Sequence, residues 1–192
     1  MRTSLTYFGL LCVAPCLAGE YLSVVPTDDL STATITTTHG NIRAPKTLPD
    51  QEGFDTVRIS PDGARVGWLA LTANCCTSYP LPTALVIVQH GKVIRTFAES
   101  SPIFDWRFAK GGQAVVYRQS WPHGLVPTIY KLRRVSDGKT LAALTCYPAG
   151  LLKESTGPVY DPAGKLPNWL EPIREVRSQE QTAVAASEGH CP

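Results

Sequence analysis

The sequence has no large excess of charge of either sign and no long apolar run beyond its first residues. Lys and Arg number 18 and Asp and Glu number 16, a formal charge of +2 that is too mild to predict a nucleic-acid partner. After the amino-terminal region, no segment approaches the roughly 18 consecutive apolar residues of a membrane-spanning helix. We therefore expect neither a nucleic-acid partner nor an integral membrane segment in the mature chain.

The motifs of common enzymes and cofactor sites are also missing. The chain has no Gly-x-Ser-x-Gly nucleophile elbow, no pair of histidines four residues apart on a helix and no calcium-loop pattern. Gly111-Gly112 lies in a predicted hairpin, so it cannot open a phosphate-binding helix. Ser60 and Asp62 are predicted to form a turn. We therefore predict no catalytic residue, no metal and no cofactor.

The amino terminus has the features of a secretory signal peptide. Arg2 supplies a positive charge, the apolar run 7–13 is too short to cross a bilayer, and Pro15 ends it before the small residue Ala18. Residues 1–18 are therefore predicted to be a leader. The mature protein is expected to be exported, to the periplasm or out of the cell.

Two of the six cysteines lie in this leader, and the four that remain predict two disulfides in an oxidising compartment. The four are Cys75, Cys76, Cys146 and Cys191. A direct bond between the neighbours would strain the ring, so each neighbour is expected to pair with a distant cysteine. Two of the three possible disulfide pairings meet this condition, and the sequence does not choose between them.

A sequence pattern occurs twice, at residues 58–69 and 107–118. The copies share three pairs of identical residues: Arg58 and Arg107, Gly63 and Gly112, Val66 and Val115. Short apolar segments separated by Pro and Gly predict strands and tight turns. Each copy begins a unit of four antiparallel strands, with an insertion between the second and third strands at 74–82 and 120–126.

In the second unit, Lys131, Arg133 and Arg134 are predicted to protect an exposed strand edge.

One turn carries a family resemblance. Ser60-Pro61-Asp62-Gly63, followed by Arg65 and Val66, resembles the signature of the WD40-like, TolB-type propeller repeats of bacterial secreted proteins. The second copy has Lys110-Gly111-Gly112 at this turn, and its hairpin at 136–139 is similar to a typical blade ending. The resemblance covers about residues 54–145 and implies a propeller-like fold without implying an activity.

Closed propellers have about four to eight blades, and this chain shows two repeat units. The predicted fold is therefore mainly β, an antiparallel meander of two four-stranded blade-like units that do not close. The predicted organisation is a leader at 1–18, an irregular lead-in with a possible hairpin at 19–53, the two-repeat domain at 54–148 and a C-terminal segment at 149–192. In that last segment a short helix is predicted from Trp169 to about Gln181, capped by Asn168.

Aromatic residues that lie mostly in or beside the two insertions are the candidate partner-binding patch. With one histidine they are Tyr79, Trp106, Trp121, His123 and Tyr147. The function predicted from the sequence is an exported, non-catalytic binding or envelope-associated module whose partner is a protein, either a second copy or an envelope component. The alternative is a small secreted enzyme or a thiol or metal-binding protein that uses Cys75 and Cys76 with His90 or His123.

Overall fold

The computed structural model describes residues 19–75, 77–121, 127–146, 167–170 and 173. These residues form three antiparallel sheets. The first sheet contains β1 (Tyr21–Pro26), β2 (Ala33–Thr37) and β3 (Gly40–Arg43). The second contains β4 (Gln51–Ile59), β5 (Val66–Thr72), β6 (Leu81–Gln89) and β7 (Lys92–Ala98). The third contains β8 (Ile103–Ala109), β9 (Ala114–Gln119), β10 (Thr128–Arg134) and β11 (Thr140–Cys146).

Within each sheet the strands lie side by side in chain order, as in a meander. Tight turns join most neighbouring strands, and Gly63, Gly91 and Gly138 have positive φ angles in three of them. No sheet formed by the described residues closes into a barrel. The predicted class, a mainly β fold with open, propeller-like sheets, is confirmed.

The three sheets are stacked, because alternate residues of the middle sheet pack on opposite neighbours. On β5, Val66, Trp68 and Ala70 pack against the first sheet, whereas Leu69 packs against the third. Every residue of β5 is therefore buried. This two-sided burial explains why β5 is a nearly continuous apolar run instead of an alternating one.

The lead-in region forms a full layer of this stack. The possible hairpin is present as β2 and β3, and β1 adds a third strand that the sequence did not predict. β1 lacks a clear alternation of polar and apolar positions: its register shifts between Tyr21 and Ser23, and its apolar residues Leu22 and Val25 are exposed. Ile35 of β2 is fully buried against the second sheet.

The outer face of the third sheet is covered by the C-terminal segment. Leu170 and Ile173 are buried against Val116, Tyr130 and other residues of that face. Asn168–Leu170 forms one 3₁₀ turn. Most of the helix predicted from Trp169 to Gln181 lies outside the described residues.

The second and third sheets have their tight turns at one end, which we call the turn end. A Cβ atom built on Gly112, in the β8–β9 turn, would lie 3.0 Å from the Cβ of Ser60 in the β4–β5 turn. The β5–β6 and β9–β10 connections therefore leave from the opposite end, which we call the loop end. In the part of the chain that the structure describes, no helix is long and apolar enough to span a bilayer.

Candidate functional site

The loop end presents two large exposed aromatic residues. Tyr79, between β5 and β6, is 54% exposed, and Trp121, just after β9, is 47% exposed. Both residues follow the second strand of their sheet, so the stacking of the sheets brings the two connections to the same end of the molecule.

The Tyr79 loop is held by hydrogen bonds to one asparagine. Asn74 Oδ1 accepts from the backbone nitrogen of Thr77 at 2.9 Å, and Asn74 Nδ2 donates to the Tyr79 carbonyl at 3.1 Å. Thr77 Oγ1 donates to the same carbonyl at 2.6 Å. These bonds fix the Tyr79 backbone, so its exposed ring is attached to an ordered loop.

The prediction that Trp106 belongs to the exposed patch is wrong. Its ring is 0% exposed and packs between the second and third sheets, edge-on to Phe108. Trp106 lies on the face of β8 that points into the core, and it belongs to neither insertion. His123 and Tyr147, the other predicted members, lie outside the described residues.

The structure places two of the four mature cysteines, Cys75 and Cys146. Cys75 is exposed in the β5–β6 connection, and Cys146 is 7% exposed at the end of β11. Both positions are at the loop end, because β5 and β11 finish there. Cys76 and Cys191 lie outside the described residues, so the disulfide pairing stays a prediction.

The metal-binding alternative cannot include both Cys75 and His90. His90 lies in the β6–β7 turn at the turn end, where its Nδ1 is 2.7 Å from Glu20 Oε2. The nine residues of β6 separate it from the Cys75 connection, a distance of roughly 30 Å for an extended strand. Metal ligands lie about 2 Å from the ion, so these two side chains cannot share one. Among the described residues, no three His, Cys, Asp or Glu side chains are grouped to hold a metal ion.

Ser60 and Asp62 have the turn-forming role predicted for them. The backbone nitrogen of Arg65 donates to Ser60 Oγ at 2.9 Å, and that of Ala64 donates to Asp62 Oδ1 at 3.1 Å. Partial burial alone would raise the pKa of Asp62, but the hydrogen bonds from Ser60 and Ala64 and the charge of Arg65 lower it. The turn also contacts the first sheet, since its Gly63 carbonyl accepts from the Tyr21 nitrogen at 2.9 Å.

A pair of Asp and Arg residues repeats on the first strands of the second and third sheets. Asp55 and Arg58 on β4 correspond to Asp105 and Arg107 on β8 when the strands are aligned by their pairing partners. The sequence concealed this correspondence because a bulge between Asp55 and Arg58 adds one residue to β4, whereas Asp105 and Arg107 are in regular register on β8.

The first of these arginines joins the two sheets. Arg58 Nε donates to the Trp106 carbonyl at 2.9 Å, and its guanidinium lies 3.7 Å from Asp105. In the opposite direction, Trp106 Nε1 donates to the Thr56 carbonyl at 2.7 Å. Thr56 has a φ of 46°, which is strained for a β-branched residue. The reciprocal bonds explain why this strained bulge persists, and they give the repeated arginine a structural role.

The cations of β10 do not protect an exposed edge, which corrects that prediction. β10 is an inner strand, paired with β9 on one side and β11 on the other. Lys131 Nζ and an Arg133 amino nitrogen lie 2.8 and 3.0 Å from the Glu99 carboxylate, which also accepts from the Tyr117 hydroxyl. Arg134 pairs with Asp137 in the following turn at 2.8 Å.

This charge cluster ties the β7–β8 connection to the third sheet. Burial alone would raise the pKa of Glu99, but the hydrogen bonds from Lys131 and Tyr117 and the charges of Lys131 and Arg133 lower it. Burial and the neighbouring Glu99 raise the pKa of Tyr117. The Arg133 guanidinium also stacks over Phe97, 5.2 Å from the ring centre. These contacts fix the Glu99 side chain against the third sheet.

Comparison with protein-family models gives no match, and comparison with curated proteins gives none either. Among solved structures, the chain is similar to a chain of Kuenenia stuttgartiensis hydrazine synthase, with 13% identity and a TM-score of 0.46. The similarity covers 67% of this chain and 36% of that one. A likeness this distant assigns no function to the chain.

Proposed function

We propose that this protein is an exported, non-catalytic binding module that contacts a protein partner through its loop end. The leader-like residues 1–18 and the four remaining cysteines support export to an oxidising compartment. The resemblance of residues 54–145 to WD40-like, TolB-type repeats supports a binding role in the periplasm or at the envelope. The partner is an envelope protein or a second copy of the chain.

The observation that carries the proposal is the exposure of Tyr79 and Trp121 at one end of the stack. The chain buries most of its other large aromatic residues within three apolar layers. Tyr and Trp are the side chains that contribute most often to protein interfaces, because each combines a large apolar area with one hydrogen-bonding group. Two such rings at the same end of the stack favour a protein interface there.

Site-directed photo-crosslinking in cells that export the full chain tests the proposal. Tyr79 or Trp121 is replaced, one at a time, by p-benzoylphenylalanine, and Val93 is the control because it is 44% exposed on β7, away from the loop end. We expect a discrete protein adduct from both loop-end positions and none from Val93. An adduct of twice the chain mass identifies a second copy as the partner.

Two results would contradict the proposal. Equal adducts at Val93 and at the loop end would show that the contacts are non-specific, and the absence of adducts at all three positions would remove the loop end as an interface. The intact mass of the exported protein tests export separately. We expect the mature chain to begin near Gly19, and an uncleaved chain in the cytoplasm would refute export.

A further inference from the structure

A cationic groove lies at the turn end, between the turns of the second and third sheets. Its volume is about 500 Å³. The polar residues that line it are Arg65, Gln89, Lys110, Gln113, Arg134 and Ser136. No acidic side chain is part of the lining that the structure describes. The groove is therefore suited to a small anion.

The positive charge in this groove is only partly neutralised. Arg65 lies 3.2 Å from Asp62, and Arg134 lies 2.8 Å from Asp137. The Lys110 ammonium group has no hydrogen bond or ion pair with any residue that the structure describes. The two carboxylates thus leave one positive charge without a partner.

One buried donor of the groove also lacks an acceptor. Arg65 Nε is shielded from solvent, yet no described residue accepts its proton. A buried N–H group without a partner costs about 1–3 kcal/mol, and for that reason such groups are rare in folded proteins. An oxyanion in the groove would neutralise Lys110 and would meet the exposed part of the Arg65 side chain, which is 19% exposed.

We propose that the turn-end groove binds a small oxyanion of the phosphate class. Guanidinium and ammonium groups recognise this chemistry by charge-assisted hydrogen bonds, and here they come from turns of two different sheets. The ligand would therefore bridge the second and third sheets at the end opposite Tyr79 and Trp121. This site is independent of the proposed protein interface.

Titration with inorganic phosphate and with pyrophosphate, by calorimetry at constant ionic strength, tests the proposal. The wild-type mature chain is compared with Lys110→Gln and with a control, Lys46→Gln, which changes an exposed lysine distant from the groove. Constant ionic strength is needed because salt screens exposed charges. Backbone amide shifts of Gly111, Gln113 and Ser136 locate the binding site.

We expect saturable binding by the wild type and the Lys46→Gln variant. Loss of one charge-assisted contact should weaken binding by Lys110→Gln about tenfold to a hundredfold. The amide shifts should be confined to the turn end. The proposal would be overturned if neither phosphate nor pyrophosphate bound saturably up to about 10 mM. Equal weakening of binding in both lysine variants would also overturn it.

Discussion

Two buried tryptophans differ in one hydrogen bond, and a matched pair of substitutions measures its contribution to stability. Trp68 and Trp106 are both 0% exposed. Trp106 Nε1 donates to the Thr56 carbonyl at 2.7 Å, whereas Trp68 Nε1 has no acceptor among the described residues. Phe removes the same atoms at both positions, so the two variants differ mainly in the hydrogen bond.

Each substitution leaves a cavity and loses apolar contact, which together cost about 1–2 kcal/mol. Trp106→Phe also leaves the Thr56 carbonyl without its donor, which adds about 1–3 kcal/mol. Trp68→Phe removes a buried donor that has no partner, which offsets part of its cavity cost. We therefore expect Trp106→Phe to lower the free energy of unfolding by at least about 2 kcal/mol more than Trp68→Phe, out of a total of about 5–15 kcal/mol.

Urea unfolding of the mature chain, followed by far-ultraviolet circular dichroism, gives both values without relying on tryptophan fluorescence. Trp121→Phe serves as the surface control, because its ring is 47% exposed, and should change stability by no more than about 0.5 kcal/mol. Equal destabilisation by Trp68→Phe and Trp106→Phe would refute the reasoning. In that case the bond from β8 to the strained bulge adds nothing to stability.

Three further predictions follow from the packing, the charge cluster and the cysteines. Gly67→Ala should lower the free energy of unfolding by about 1–3 kcal/mol, because the new Cβ would lie 2.8 Å from the Trp106 ring and 2.9 Å from the Val86 carbonyl oxygen. Thermal or urea unfolding measures this change, and an unchanged midpoint would contradict the packing. Glu99→Gln should lower stability by about 1–3 kcal/mol at neutral pH. Since the folded pKa of Glu99 lies below its ordinary 4.5, this contribution is present above that pH and is lost as the pH falls through the folded value. The gap between wild type and variant should therefore close in acid, and a gap independent of pH would disprove the ionic role. A non-reducing peptide map of exported protein should show Cys75 and Cys76 each bridged to a distant cysteine, and a free thiol at either position would oppose the disulfide prediction.

Much of the strand pattern in the second and third sheets could be predicted from the sequence. Both predicted four-stranded units are present, as β4–β7 and β8–β11, because tight turns and short apolar segments mark their strands in the sequence. β1 could not be predicted, since its register shift and its exposed Leu22 and Val25 remove the alternation on which such predictions depend. The bulge between Asp55 and Arg58 on β4 likewise concealed the correspondence of Asp55 and Asp105.

Local chemistry within the sequence was enough to determine the turns and strands of the second and third sheets. Proline, aspartate and glycine restrict backbone angles within a few residues, so their effect does not depend on the rest of the chain. Only the tertiary structure decided that Trp106 is buried while Trp121 is exposed, and that Lys131 lies on an inner strand. It also placed Cys75 and His90 at opposite ends of the stack. These properties depend on which sheets lie against each other, and contacts between residues about 50 positions apart, such as Arg58 with Trp106, determine that arrangement.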